Sequence, residues 1–182
     1  EAGIEKLVTL LDDQPVHALV NNAGISPKQE NGDRLDTLTT DQSIWAEVLQ
    51  VNLLAPALLT RRLTKSLQKG QGAVVNVTSI AGTRVHRFAG PAYAASKAAL
   101  STLTRELASD LGNLGIRVNA VSPGEIKTEM LSVAATDEMI HDIPLHRLGD
   151  VDEVASAIYF LCCGSASYIN GAEIEINGGQ HV

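Results

Sequence analysis

Three short apolar runs in this sequence each stop on small or polar residues, and long helical patterns separate them. Val16-His17-Ala18-Leu19-Val20 stops at Asn21-Asn22-Ala23-Gly24. Ala73-Val74-Val75-Asn76-Val77-Thr78-Ser79 follows Gly70-Gln71-Gly72, and Gly115-Ile116-Arg117-Val118-Asn119-Ala120-Val121 stops at Ser122-Pro123-Gly124. Such runs, bounded by turn residues, read as buried strands. Between the first two, Ile44, Val48, Val51, Leu54, Leu63 and Leu67 hold one apolar helical face, and Thr39-x-x-Gln42 has the capping-box pattern for its start. Tyr93 to Leu111 reads as a second long helix, rich in Ala and Leu. Ile4, Leu7, Val8 and Leu11 give the last turns of a helix before the first strand. Asp150 and Glu153 cap a helix from Val151 to about Cys163, and Ala172 to Asn177 alternates like a last strand. Strands alternating with helices imply a parallel α/β sheet covered on both faces. No period repeats and no linker interrupts, so residues 1–182 read as one domain.

Composition excludes several classes. Of 182 residues, 45% are hydrophobic, too many for a disordered segment. A net charge of −7 with scattered Lys and Arg does not suit a nucleic-acid partner. Read as runs, the apolar stretches fall short of the ~20 residues of a membrane span, so no membrane partner is expected. Cys162 and Cys163 are adjacent and cannot staple a fold in ordinary disulfide geometry. They read as apolar side chains at a helix end in a reducing compartment, and the expected location is cytoplasmic.

The sharpest chemical feature is Tyr93-Ala94-Ala95-Ser96-Lys97. Residues i and i+4 share a helix face, so phenol and ammonium can serve one site. An unperturbed phenol, with a pKa near ~10, is too weak an acid for neutral pH, and a neighbouring cation would lower it. Ser79, Asn22-Ala23-Gly24 and Pro123-Gly124 stand at the carboxyl ends of three consecutive strands, where α/β sheets form their ligand crevice.

Taken together, these residues resemble the short-chain dehydrogenase/reductase family. The resemblance runs through Asn21-Asn22-Ala23-Gly24, Asn52 in Val51-Asn52-Leu53, Ser79, Tyr93-x-x-x-Lys97 and Pro123-Gly124-x-x-x-Thr128, to the closing Ile174-Glu175-Ile176-Asn177-Gly178-Gly179. It implies a Rossmann-like, doubly wound, three-layer αβα fold and NAD or NADP as cofactor. The implied reaction is hydride exchange with a carbonyl or secondary alcohol substrate, of which a 3-oxoacyl thioester is one form. The implied catalytic residues are Asn52, Ser79, Tyr93 and Lys97. Tyr93 would move the proton, and Lys97 would lower its pKa and hold the nicotinamide ribose. Ser79 would orient the substrate oxygen, and the Asn52 carbonyl would hold a relay water. Asn22, Ala23, Gly24, Tyr93, Lys97, Pro123, Gly124, Ile126 and Thr128 would bind the cofactor, while Asn21 would brace the sheet. No metal ligand set is implied. The two long helices would pair subunits into a homodimer or homotetramer.

Pro56, four residues after Asn52, has no N–H and so denies the Asn52 carbonyl its helical partner. His86 and Arg87 fall on the substrate side of the loop after Ser79. Glu129 to Arg147, with Met130, Leu131, Met139, Ile143 and Leu145, would form a substrate lid. Trp45 reads as packing or subunit contact. The family's glycine-rich turn, G-x-x-x-G-x-G, is not found, and Gly3 is the single glycine before Asn21. The resemblance therefore implies an N-terminally truncated fold, with about 60 residues, two βα units at ~30 residues each, preceding this chain. On that reading Val16–Val20 becomes an exposed apolar edge, and these 182 residues alone bind the dinucleotide weakly or not at all. The alternative is a catalytically silent chain that serves as a structural or assembly partner.

Overall fold

A computed structural model describes residues 2–128 and 137–182. Helix α1 (Ala2–Leu11) leads into strand β1 (Ala18–Asn21). Helix α2 (Gln42–Leu49) passes through a π-helical turn, Gln50–Leu54, into α3 (Ala55–Gly70). Strand β2 (Ala73–Val77), helix α4 (Pro91–Leu111) and strand β3 (Arg117–Pro123) follow. The short α5 (Asp137–His141), helix α6 (Val151–Cys162) and strand β4 (Glu173–Ile176) complete the described elements. All strand pairs are parallel and lie in chain order, β1-β2-β3-β4.

The strands alternate their side chains between two faces, and each face has its own core. Val74 and Val118 turn towards Leu63 and Leu67 of α3 and Ala108 of α4. Val75, Val77 and Val121 turn the other way, towards Leu161 of α6. Complete burial of a side chain such as Leu67 contributes roughly 1.5–3 kcal/mol. The result is the three-layer α/β arrangement read from the sequence. β1 lies at one edge of the four described strands, with Val20 40% exposed.

Element ends moved for local reasons. Helix α2 starts on Asp41, whose carboxylate accepts from the Ile44 N–H at 3.0 Å. Thr39, the expected cap, is engaged upstream: its N–H and hydroxyl both donate to the Asp36 carboxylate at 2.9 Å. At α6 the expected Asp150–Glu153 pair is present, with the Asp150 N–H donating to Glu153 at 2.9 Å. The α2–α3 helix, 42–70, is continuous and by length and composition alone long enough to cross a membrane, which the run lengths had not suggested. Its apolar side is a stripe. Leu63 and Leu67 are buried, while Arg61, Arg62, Lys65 and Lys69 occupy the outer side. Cys162 and Cys163 are free thiols, half-buried at the end of α6.

Candidate functional site

Parallel pairing brings the carboxyl ends of the strands to one edge of the sheet. The chain beyond β1, β2 and β3 there borders a cleft of about 730 Å³. Asn21 does brace the sheet: it faces Asn76 in register, and its Nδ2 donates to Asn76 Oδ1 at 2.8 Å. Asn76 in turn donates to Thr104 of α4 at 2.8 Å, so buried amides tie two strands to the helix that carries Tyr93. Asn22, Ala23, Gly24, Ser79, Tyr93, Lys97, Pro123, Gly124, Ile126 and Thr128 all line the cleft.

Ser79 ends β2 and caps the short turn Ile80–Gly82, its hydroxyl accepting from the Ala81 N–H at 3.2 Å. Gly82 lies so close to α4 that an added Cβ would meet the Ala98 nitrogen at 2.8 Å, which fixes Ser79 against the turn holding Tyr93. The Ser79 hydroxyl lines the same cleft as the Tyr93 phenol and draws the phenol's pKa down. Lys97, one turn on, is 3% exposed, donates to the Val77 carbonyl at 2.6 Å, and sits 5.6 Å from the centre of the Tyr93 ring. Burial pushes this ammonium down from 10.5 to about 8.

The expected effect of Lys97 on Tyr93 is not what the structure gives. Desolvation raises the phenol above its ordinary value, the Ser79 hydroxyl opposes the rise, and the Glu125 carboxylate adds to it. Low-dielectric surroundings penalise the phenolate, and the depressed Lys97 does not outweigh them.

Asn52 lies beneath the cleft rather than in its wall and is fully buried. Its Oδ1 accepts from the Ile25 N–H at 2.8 Å, and its Nδ2 donates to the Ile25 carbonyl at 3.0 Å and to Ser96 Oγ at 3.0 Å. The Ser96 hydroxyl then donates to the Tyr93 carbonyl at 2.7 Å. One amide thus joins the loop after β1 to the helix carrying Tyr93 and Lys97. The π-helical turn at Asn52 closes with the Ala55 N–H on the Gln50 carbonyl, one residue wider than an α-turn, immediately before Pro56. Asn52→Ala strands several buried partners at once. It is expected to lower unfolding stability by about 1–3 kcal/mol, read by urea denaturation. An unchanged midpoint would remove the bracing role.

The sequence pointed to His86 but not to its partner. His86 Nε2 lies 2.7 Å from Glu125 Oε1, and both line the cleft with Lys28, Phe88 and Tyr93. Arg87 points away and meets Asp142 at 3.4 Å. Among the expected lid residues, Met139 and Ile143 are buried and Leu145 is largely exposed, whereas Met130 and Leu131 lie outside the described residues. Trp45 is half-buried on α2. Gly124 and Glu125 are seated on the C-terminal strand and turn, through Gly124 N–H to Ile176 O at 3.0 Å and Glu125 N–H to Gln180 Oε1 at 3.2 Å.

Residues 1–181 match the family model described as enoyl-(acyl carrier protein) reductase. The chain superposes with a TM-score of 0.79, at 51% identity, on an oxidoreductase of the short-chain dehydrogenase/reductase family from Brucella ovis in complex with a partially ordered NAD. That match covers 96% of this chain and 71% of the other. This chain belongs to the short-chain dehydrogenase/reductase family. Within that family it is 58% identical over 168 residues to Protein FixR of Bradyrhizobium diazoefficiens, covering 92% of this chain and 60% of FixR. The 3-oxoacyl-(acyl-carrier protein) reductase of Brucella melitensis aligns at 34% identity with a TM-score of 0.91, over 98% of this chain and 69% of that one. The chain therefore spans about two thirds of the length of such relatives.

The short-chain dehydrogenase/reductase family uses NAD(P), and the residues of this cleft fit such a group. Lys97 is a buried ammonium whose hydrogen-bond acceptor among the described residues is the Val77 carbonyl, which leaves donors for ribose hydroxyls. A Cβ on Gly24 would come within 3.4 Å of Lys97 Nζ and of Asn52 Oδ1, so the glycine keeps the space before the ammonium open.

Proposed function

We propose that this chain carries the catalytic part of an NAD(P)-dependent oxidoreductase acting on a carbonyl or secondary alcohol substrate. The observation that carries this reading is that Ser79, Tyr93 and the buried Lys97 ammonium line one cleft. When bound, the nicotinamide group supplies or accepts the hydride. The Ser79 hydroxyl donates to the substrate oxygen and orients it. The Tyr93 phenol, kept protonated at neutral pH by its burial, delivers a proton to that oxygen in reduction and becomes the phenolate; in oxidation the phenolate, having lost its proton to water, takes one from the alcohol. Developing negative charge on the oxygen meets the two hydroxyls as donors, which lowers the barrier. Lys97, Asn22, Ala23 and Gly24 hold the ribose side of the cofactor. Pro123, Gly124, Ile126 and Thr128 hold the nicotinamide end. Asn52 positions both walls through Ile25 and Ser96. The likeness to the Brucella melitensis 3-oxoacyl reductase supports an oxoacyl thioester as one member of the substrate class.

The test is to purify the protein as its gene encodes it and offer ketones with NADH or NADPH, and secondary alcohols with NAD or NADP. Nicotinamide absorbance reports the reaction. Turnover of at least one pair is expected. A folded protein inert across both panels with both cofactors would overturn the reading.

A further inference from the structure

The cleft that Tyr93 lines also holds a carboxylate that the proton transfer above does not use. Glu125 follows Pro123-Gly124 directly and is 7% exposed, yet it lines the cleft. Its main chain is fixed at both ends, the N–H on Gln180 Oε1 at 3.2 Å and the carbonyl accepting from the Gly149 N–H at 2.9 Å. Its side chain is held from another element. His86 Nε2 lies 2.7 Å from Oε1.

The ring's other nitrogen fixes the direction of that bond. The Phe88 N–H donates to His86 Nδ1 at 3.2 Å, so Nδ1 is an acceptor and the ring proton sits on Nε2. His86 is therefore the donor and Glu125 the acceptor. Lys28, a second cation of the cleft, donates one ammonium proton to the Phe88 carbonyl and feels the Glu125 charge without a hydrogen bond to it. Among the described residues nothing donates to the second Glu125 oxygen. The cleft lining that Glu125 shares includes Phe88, Ala89, Ile126 and Ile158.

A charged acceptor in such a wall discriminates in two directions. A substrate that covers it with apolar surface strips its water without replacement, which is costly. A substrate that brings a hydrogen-bond donor offsets that loss with a charge-assisted bond. Sites with buried polar groups reject analogues lacking the matching group far more strongly than apolar pockets reject a missing methylene. Glu125 and Tyr93 line the same cleft, and the carboxylate adds to the rise in the phenol's pKa.

We propose that Glu125, held by His86, is a specificity-determining residue whose carboxylate accepts a hydrogen bond from a hydroxyl or ammonium group that the substrate carries near the reacting carbon. The inference rests on the oxidoreductase reading and narrows its substrate class to hydroxylated or amino-substituted alcohols and ketones, ahead of plain ones and of oxoacyl thioesters.

The test compares kcat/KM for a vicinal diol, the matching amino alcohol and the matching plain secondary alcohol, with an oxoacyl thioester in the reductive direction. The enzyme as encoded is compared with Glu125→Gln, Glu125→Leu and His86→Gln. One of the two donor-bearing alcohols is expected to exceed the plain one by about tenfold or more, the size of a charged hydrogen bond. Glu125→Leu brings that ratio close to one. Glu125→Gln, nearly the same size, keeps part of a hydroxyl preference but loses an ammonium preference, which separates the two donors. His86→Gln lowers the ratio less, because the carboxylate remains but is held differently. If the leucine variant fails to fold, by circular dichroism, the glutamine and His86 variants still decide. Preference of the parent enzyme for the plain alcohol or the thioester overturns the proposal, and so does a ratio that survives undiminished at Glu125→Leu or Glu125→Gln. Turnover without selectivity defeats this inference alone. Absence of turnover on every substrate defeats the oxidoreductase reading and this inference with it.

Discussion

Tyr93→Phe is expected to lower turnover by about 10²–10⁴-fold, the range for losing a positioned general acid, with the fold intact. The ring keeps its place on α4, and the Lys97 ammonium keeps its Val77 acceptor, because neither contact uses the hydroxyl. What goes is the phenol hydroxyl that feels Ser79 and reaches the reacting oxygen. Stability should change little, by about 1 kcal/mol, since a single hydroxyl is removed together with the cost of its desolvation. Steady-state kinetics with both cofactors, beside a urea melt, make the check. Because the raised phenol remains a proton donor throughout neutral pH, the parent enzyme should hold its reductive rate from about pH 6 to about pH 8 and lose it only in alkali. A rate that is already falling across neutral pH would mean that the phenolate forms there and that burial is not the controlling influence. A well-folded Tyr93→Phe protein with parental turnover would refute the role of Tyr93 outright.

The order of elements was legible because strand ends and helix faces are local matters. Each apolar run ended on residues that stop strands, and Asn21 was read as a brace of the sheet, but its partner Asn76 came only from the register. Thr39 was misread because capping patterns do not reveal competition. Asp36, three residues upstream, takes the same hydroxyl and N–H that the cap needed. The π-helical turn was half legible: Pro56 announced a missing donor near Asn52, but nothing local said the turn would widen. The candidate site divides in the same way. Tyr93 and Lys97 share a helix face by spacing alone. The direction of the Tyr93 shift depends on burial, which comes from packing of distant segments and cannot be read from five residues. Glu125 was missed altogether, because its meaning lies in His86, 39 residues earlier in the chain. A carboxylate placed directly after Pro123-Gly124, at the end of a buried strand, was the available signal.

Lys97→Met should convert a cost in stability into a measurable dependence on pH. The ammonium is buried and held near about 8 instead of its ordinary 10.5 by desolvation. Below about 8 the lysine is protonated in both folded and unfolded chains, and the full penalty of the buried charge is present. Between about 8 and 10.5 the folded chain gives up its proton first, so the unfolded chain binds more protons and stability rises with pH. Above 10.5 both forms are neutral and the penalty is gone. At about 1.4 kcal/mol per pH unit, the interval is worth roughly 3 kcal/mol. The methionine variant has no such proton to lose. It also leaves the Val77 carbonyl without its donor, but that loss is the same at every pH and shifts the whole curve without tilting it. Urea midpoints of the two proteins from about pH 7 to about pH 10 should therefore converge or cross as alkali relieves the parent, with other titrating groups cancelling in the difference. Parallel curves would show that Lys97 is not a buried charge. Activity is expected to fall with the substitution at every pH, since the ammonium before Gly24 is removed. A lysine retained where its charge lowers stability is explained by what it does in the cleft, not by what it does for the fold.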